Sequence, residues 1–517
     1  MSDKSSNEIR ALIQRAKKFE KNTDWLAAVE AYRDTLPFSP LDAEIWHRIG
    51  VCLCHVDKHE DAIQFLEKST LLDPGNIDYQ LRLGDALFFA RRLKEAIAAY
   101  SRVQELDPNN ASAANNIGVA LQEGGLLDDA INAIGQALYL APGDPLVTAN
   151  MGSALLKLGK IEDALTALES AVRQDPSHAE AWSNFGVALQ EDLQLEAAID
   201  AHQTAIRLAP ENHQLHYNFS MTLLLCGKFE LGFDEFEHRN YIPNLKPREF
   251  TGKCWTGEDI LGKTLLVHAE QGVGDTIQFS RFIRVLSDAG AKIIFSTHSS
   301  LVELMGEIDA PIQVVSGNDL SGQYDYKVPL LSLAHRTGLY PSEVEFPNSS
   351  YLSVPNGTFC PVPSSAAKPR IGLVWAGNPR HSNDKNRSCS LENFRPLFDL
   401  DEIDWFSLQV GESSKEIEKK GFPVIDISDK LENFSITAAT IEALDLIVSV
   451  DTAAIHLAGA LGKPAWCLLS YSPDWRWQIE RLCSPWYPSL RLYRQTSRGD
   501  WDGVIRKICT DLQTIFL

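Results

Sequence analysis

Three short runs of this chain combine residue types that can bind an anion or move a proton. In Gly272–Asp275 (GVGD) a carboxylate follows two glycines just after an apolar run, Lys263–Glu270. Glycine lets the backbone turn sharply there, and Asp275 falls near the start of the helical pattern Ile277–Leu286. An aspartate so placed either takes a proton from a bound hydroxyl or caps the helix. In Ser449–His456 (SVDTAAIH), Asp451 and Thr452 stand where the apolar run Asp445–Val450 gives way to a helix. Backbone N–H groups at that helix start, Ala453 among them, together with the Thr452 hydroxyl suit a diphosphate. His456 lies about one turn into the helix, within reach of the same anion or in a purely structural role. The loop Gly377–Arg387 (GNPRHSNDKNR) brings Arg380, Lys385 and Arg387 as phosphate contacts or as a solvated basic loop. The D-x-D pairs Asp399–Asp401 and Asp500–Asp502 follow no apolar strand, so no metal site is expected from them.

These runs need a scaffold of strands and helices. Strand patterns occur at Lys263–Glu270, Lys292–Thr297, Ile312–Val315 and Tyr324–Val328, with helical patterns at Ile277–Leu286 and about Leu331–Thr337. A Pro/Ser-rich stretch, Pro355–Pro369, reads as a linker. The alternation then restarts with strands Arg370–Trp375, Asp404–Leu408, Val424–Ile427, Asp445–Val450 and Pro464–Leu468. Helices are expected near Leu391–Phe398, at Ile436–Ala443 and from about Ala453. Strand–helix alternation predicts parallel sheets, whose ligands sit at the carboxyl ends of the strands. Four aromatics in Asp474–Pro488 (Trp475, Trp477, Trp486, Tyr487) either wall a pocket or pack a seam.

The first half has a different order. Gly50, Gly84, Gly118, Gly152 and Gly186 recur every 34 residues, as do Ala62, Ala96, Ala130, Ala164 and Ala198. Pro74, Pro108, Pro142, Pro176 and Pro210 keep the same step. This period predicts stacked helical hairpins starting at Ala43, Ile77, Ala111, Pro145 and Ala179. A weaker copy runs from about Ile9 to Asp42, and a degenerate one from His213 to about Lys246. One helix position reads Arg48, Arg82, Asn116, Asn150, Asn184, Asn218. An asparagine row can pair with the backbone of an extended peptide, because each amide both donates and accepts; the alternative is local bonding between helices.

The hairpins resemble tetratricopeptide repeats. The runs Val267–Phe282, Ile371–Pro379 with Asn383–Ser388, and Ser449–Pro464 resemble heptosyltransferase-related glycosyltransferases of the GT-B fold. The whole chain is similar to bacterial proteins that join the two, some of which glycosylate flagellins. The resemblance implies an all-α tetratricopeptide superhelix over residues 1–246, then an α/β GT-B fold of two Rossmann-like domains facing across a cleft. Those would be 247–356 on the acceptor side and 370–517 on the nucleotide-sugar side, joined by a linker at 357–369. It further implies an inverting, metal-independent transfer from a nucleotide sugar, with no other cofactor, to a Ser/Thr hydroxyl of a protein. Asp275 would be the general base. Arg387, Gln409, Asp451, Thr452, Ala453 and His456 would hold the donor, and Asn116, Asn150, Asn184 and Asn218 the acceptor polypeptide. The rival expectations are a non-catalytic scaffold with a degenerate sugar-nucleotide domain, or transfer to a lipid or oligosaccharide.

Composition narrows the partners. Residues 1–250 carry 23 Lys/Arg against 37 Asp/Glu and the remainder 25 against 32, within a total of −21. So acidic a chain is a poor ligand for nucleic acid or an anionic lipid. Nine scattered cysteines suit a reducing, cytoplasmic setting. The charged N-terminal stretch holds no apolar run of signal-peptide length, and no membrane span is expected. Homo-oligomerisation stays open at this stage.

Overall fold

The 34-residue period becomes a series of antiparallel helix pairs. A computed structural model describes residues 3–317, 320, 324–341, 350–363, 368–381 and 383–516. The chain divides into two compact units, Met1–Leu189 and Gln190–Leu517. Residues 364–367 of the expected linker and 342–349 before it lie outside the described residues.

The first unit is helical: α1 (Asp3–Lys21), α2 (Trp25–Arg33), α3 (Ala43–Cys54), α4 (His59–Leu72), α5 (Ile77–Phe89), α6 (Leu93–Leu106), α7 (Ala111–Glu123), α8 (Leu127–Leu140), α9 (Pro145–Leu158), α10 (Ile161–Gln174) and α11 (Ala179–Glu191), on which the division falls. The recurring glycines explain how each pair closes. A β-carbon on Gly50 would lie 2.5 Å from Leu66, on Gly84 2.4 Å from Tyr100, on Gly118 2.4 Å from Ile134, and on Gly152 2.5 Å from Leu168. Each partner is on the second helix of the same hairpin. Helix starts are fixed by a second periodic feature: Asp42, Asn76, Asn110 and Asp144 accept bonds from N–H groups of the following first turn. The turn between paired helices is left-handed at Asp57, Arg91, Gly125 and Gly159, again one period apart.

The second unit opens with the helices α12 (Leu195–Leu208), α13 (His213–Leu225) and α14 (Phe229–Phe236). There follow β1 (Lys253–Cys254), β2 (Thr264–His268), α15 (Val273–Phe279), α16 (Arg281–Asp288), β3 (Lys292–Ser296), α17 (Val302–Met305), β4 (Ile312–Val315), β5 (Tyr326–Pro329) and α18 (Leu333–Thr337). These five strands form a parallel sheet in the order β1-β5-β2-β3-β4. Next come β6 (Arg370–Val374), α19 (Asp384–Arg387), β7 (Asp404–Ser407), α20 (Glu416–Lys420), β8 (Ile425–Asp426), α21 (Phe434–Ala443) and β9 (Leu446–Val450). The chain closes with α22 (Ala453–Ala460), β10 (Ala465–Leu469), β11 (Leu490–Arg494) and α23 (Trp501–Phe516). The second parallel sheet is ordered β11-β10-β9-β6-β7-β8. The architecture is α/β, as the alternation predicts.

One continuous apolar core joins Phe229, Phe233 and Phe236 of α14 to Val267 and Phe295 of the first sheet and Ile447 and Cys467 of the second. The outer face of the six-stranded sheet buries Trp375, Trp405 and Trp466 against Ile505, Ile508 and Leu512 of α23. Trp475, Trp477, Trp486 and Tyr487 are all buried in the shared core, so they pack a seam rather than line a pocket. Two helices differ from expectation. The pattern Ile277–Leu286 divides at Ser280 into α15 and α16, with Ser280 Oγ turned back to the Ile277 carbonyl. Leu391–Asp399 is a 3-10 segment with Pro396 inside it.

Candidate functional site

The helices α15 and α22 follow the central strands β2 and β9, and their first turns pack together. The contact depends on Gly274, where a β-carbon would lie 3.0 Å from His456 Cδ2 and 3.7 Å from Ala453 Cα. This brings Asp275, from the five-stranded half, to the segment after β10, from the six-stranded half.

Asp275 is the third residue of α15, and its Oδ2 accepts the Gly272 N–H at 2.9 Å. It therefore closes the helix start from inside the first turn, a capping role one step removed from the N-cap. Its other oxygen, Oδ1, pairs with Arg476. The Arg476 guanidinium also donates to Asp474 Oδ1 at 2.9 Å and to Gln278 Oε1 at 2.6 Å. Its side chain is 10 % exposed and that of Asp275 19 %. Sequence reading passed over Arg476, which sits between two tryptophans in a run interpreted for its aromatics.

Asp451 stands behind this pair. Burial pushes its carboxyl up to about 6; Asp474 adds to the rise, while Trp477, Arg387 and Arg476 oppose it. Thr452 is the N-cap of α22, and its hydroxyl pairs with Ser449 Oγ at 3.1 Å. Ala453 is the first residue of that helix, whose leading N–H groups have no intrahelical acceptor. His456 is 5 % exposed; its Nδ1 meets the Tyr487 hydroxyl at 3.0 Å and its Nε2 lies 3.8 Å from Asp451. Burial, and then Arg476, Arg281 and Arg387, hold its pKa well below the usual histidine value.

Arg387 lies on α19, bonded to Asp384 at 3.3 Å, with its guanidinium over Gly377, where a β-carbon would meet it at 2.7 Å. Gln409 is 3 % exposed. Its Oε1 accepts the Trp375 and Ala376 N–H groups at 3.1 and 2.9 Å, and its Nε2 donates to the Val410 carbonyl. It fixes the backbone leading into the Gly377–Arg387 loop. Next to Asp275, at the carboxyl ends of β2 and β3, lies a cavity of about 200 Å³ lined by Arg248, Gln271, Ser296, Thr297 and His298 among others. Thr297 Oγ1 and His298 Nε2 are buried there without a partner. Burial and Arg248 lower the His298 pKa, and Asp275 opposes the shift.

In the first unit Asn116, Asn150 and Asn184 stand on α7, α9 and α11, each partly buried. Asn150 Nδ2 donates to Asn115 Oδ1 at 2.9 Å, and Asn115 Nδ2 reaches Asn116 Oδ1 at 3.4 Å. Asn115 was overlooked, although the Asn115–Asn116 doublet marks it. Asn218, on α13 of the second unit, accepts from Gln214 Nε2 at 2.9 Å.

Residues 81–145 and 150–217 match one tetratricopeptide-repeat family model, and residues 43–76 match another. The chain is 24 % identical over 324 residues to Protein FlbA of Caulobacter vibrioides (strain ATCC 19089 / CIP 103742 / CB 15), covering 56 % of this chain and 53 % of that protein. It thus spans about half the length of that curated relative. Similar solved structures include the APC/C hetero-tetramer Cut9-Hcn1 (18 % identity, 44 % of this chain and 45 % of that one, TM-score 0.39). MamA protein (24 %, 33 % and 94 %, TM-score 0.31) is another. A third is YrrB, described as a TPR protein with an unusual peptide-binding site (22 %, 36 % and 96 %, TM-score 0.29). Among the described residues no helix is long and apolar enough to cross a membrane.

Proposed function

We propose that this chain is a glycosyltransferase of GT-B type in which the repeats hold a protein acceptor and the α/β part transfers a sugar to it. The observation that carries the reading is the meeting of Asp275, after β2, with Arg476, after β10, and of the neighbouring Gly274 with the start of α22, after β9. Two parallel sheets thereby present their strand ends to a common polar locus, where ligands of such sheets bind.

In this reading the donor's diphosphate lies against the N–H groups of α22 and the Thr452 hydroxyl, with Arg387 and Arg476 balancing its charge. The acceptor Ser/Thr oxygen attacks the anomeric carbon as the bond to the diphosphate oxygen breaks, inverting the centre. The hydroxyl proton passes to Asp275, and the nucleoside diphosphate leaves with the electron pair. For this Asp275 must exchange Arg476 for the acceptor hydroxyl. The cavity beside it, with Thr297 and His298 turned inward, gives the acceptor side a polar wall. The asparagines on α7, α9 and α11 support peptide capture, flagellin being the first acceptor to test.

A second reading, a cytoplasmic docking scaffold without chemistry, is favoured by the same ion pair, since Asp275 and Arg476 satisfy each other in the structure. Intact-mass measurement separates the two. Full-length protein, a nucleotide-sugar panel and an acceptor should give a monosaccharide mass increment that Asp275→Ala abolishes. Acceptor binding without any increment would leave the scaffold.

A further inference from the structure

We propose that His213, His216, Glu235 and His238 form a binding site for a zinc ion at the last helical hairpin, independent of the transferase reading. The site is written in the sequence as two i, i+3 pairs, His213/His216 on α13 and Glu235/His238 at the end of α14 and just beyond. The antiparallel packing of the hairpin turns the pairs toward each other. Ligating atoms of His216, Glu235 and His238 all lie within 4.8 Å of one another. His213 stands outside that group of three, but its Nδ1 lies 2.8 Å from His238 Nδ1 and would complete the set as a fourth ligand.

The hydrogen bonds say more than the proximity. His216 Nε2 lies 2.9 Å from the Pro210 carbonyl oxygen, which can only accept, so Nε2 carries the proton. In the neutral ring Nδ1 is then a bare lone pair, and it faces Glu235 Oε2 at 2.5 Å. Two acceptors at that distance share a proton, whose place a metal ion could take once the pair opens. Likewise His213 and His238 oppose Nδ1 to Nδ1, where one shared proton holds them together. A backbone carbonyl fixing the far nitrogen of a histidine is the outer-shell arrangement that orients imidazole ligands on metals.

Three imidazoles and one carboxylate are the ligand types that zinc takes in tetrahedral sites, at about 2.0–2.1 Å. Ligand atoms around such an ion stand roughly 3.3 Å apart, so the short pairs must open by less than about 1 Å and the wider ones must close. The rings of His216 and His238 are stacked 3.9 Å apart and 5° from parallel. The His238 ring must therefore turn about its χ2, while His216 stays held by Pro210. Burial, then His216 and His213, hold the His238 pKa below the usual histidine value, with Asp234 and Glu211 opposing, so the ring presents a lone pair rather than a second proton. Arg239, next in the chain, is committed to Glu237 and Glu270 and does not compete for Glu235.

The test uses the full chain in a Cys254→Ser/Cys483→Ser background, because those two cysteines are exposed and would bind zinc themselves. Chelator-treated protein titrated with ZnCl2 against a chromophoric chelator should bind one ion per chain, unaffected by millimolar Mg²⁺. Affinity should rise with pH, as the ion displaces the shared protons. Glu235→Gln and His238→Gln should each weaken binding at least tenfold while far-ultraviolet circular dichroism is unchanged. Cobalt(II) should give visible d–d bands without thiolate charge transfer. Variants that bind zinc like the parent, or no stoichiometric zinc at pH 7.5, would overturn the proposal and leave a proton-sharing histidine cluster only.

Discussion

Arg476 and Asp275 form an ion pair between the segment after β10 and the first turn of α15, and the same guanidinium holds Asp474 and Gln278. One arginine thus neutralises carboxylates contributed by both sheets. Replacing it with methionine leaves Asp275 and Asp474 facing each other and Asp451 with one compensating charge fewer. The expected cost is about 3–5 kcal/mol, the usual consequence of breaking a buried pair from one side. Asp275→Asn keeps an acceptor for Arg476 and should cost much less. Denaturant unfolding followed by tryptophan fluorescence reads both, since Trp475 and Trp477 flank Arg476. Equal losses for the two substitutions would contradict this account.

The hairpin glycines are tested by adding one methyl group. At Gly84 a β-carbon would fall 2.4 Å from the Tyr100 ring, whereas at Gly75 the nearest atom is Asp73 Oδ1 at 3.9 Å. Gly84→Ala should destabilise the first unit by about 1–3 kcal/mol through overpacking, despite the better helix propensity of alanine. Gly75→Ala should change stability by less than about 0.5 kcal/mol. Thermal melts of the full chain followed by circular dichroism at 222 nm decide it.

The difference between these two glycines also shows what could be read in advance. Gly84 belongs to a 34-residue series and Gly75 does not, so repetition itself separated a packing constraint from a loop residue. Helices accordingly begin at Ala43, Ile77, Ala111, Pro145, Ala179 and His213, the starts given by the repeat phase. The α/β part has no period to average over, and its signals are single. Strand β1 is two exposed residues beside a loop, too short to show alternation. Strand β11 (LRLYR) does alternate, but follows an aromatic run that drew the attention, and α23 after it was also passed over. The runs around Asp275 and Thr452 were legible because glycine and a helix-start pattern surround them. Arg476 is not, since its partners Asp275 and Gln278 lie about 200 residues away in the chain. Gln409 was noticed for its place after β7, yet its bonds run inward to the backbone after β6.

Arg239 anchors the last hairpin to the first sheet. Its side chain is fully buried, bonded to Glu270 at 2.8 Å and to Ser332 Oγ at 2.9 Å, and Glu270 is itself 1 % exposed. Arg239→Met should cost about 3–5 kcal/mol because an unpaired carboxylate stays inside. The double variant Arg239→Met/Glu270→Gln should recover a large part of that loss. Urea midpoints for the two singles and the double form the necessary cycle, and additive losses would show that the residues do not act as a pair.

If the asparagine row serves an acceptor peptide, its members should differ in a way set by their neighbours. Asn150 is already bonded to Asn115, so Asn150→Ala loses a bond within the protein as well as one to a ligand. Asn184→Ala should weaken binding of an acceptor peptide about fivefold, the value of one amide hydrogen bond near 1 kcal/mol. Fluorescence anisotropy with a labelled acceptor segment measures it. An unchanged affinity for both variants would assign the row to helix–helix bonding alone.

Asp451 gives the sharpest pH test. Its ordinary carboxyl value of 3.8 rises to about 6 in the folded chain, chiefly through burial. The folded state therefore binds this proton more tightly than the unfolded state. Stability contributed by that difference is present below about pH 4, declines as the pH rises toward 6, and stays lost above it. Asp451→Asn removes the ionisation and should stabilise the second unit at pH 7.5 by up to roughly 3 kcal/mol, a gain that vanishes near pH 4. Urea unfolding at the two pH values tests this, and an equal gain at both would mean that the effect is steric. A buried acid kept at such a cost beside the start of α22 is the pattern of a functional residue. If the start of α22 holds a nucleoside diphosphate as proposed, the same variant should lose stabilisation by it even as it becomes more stable without one.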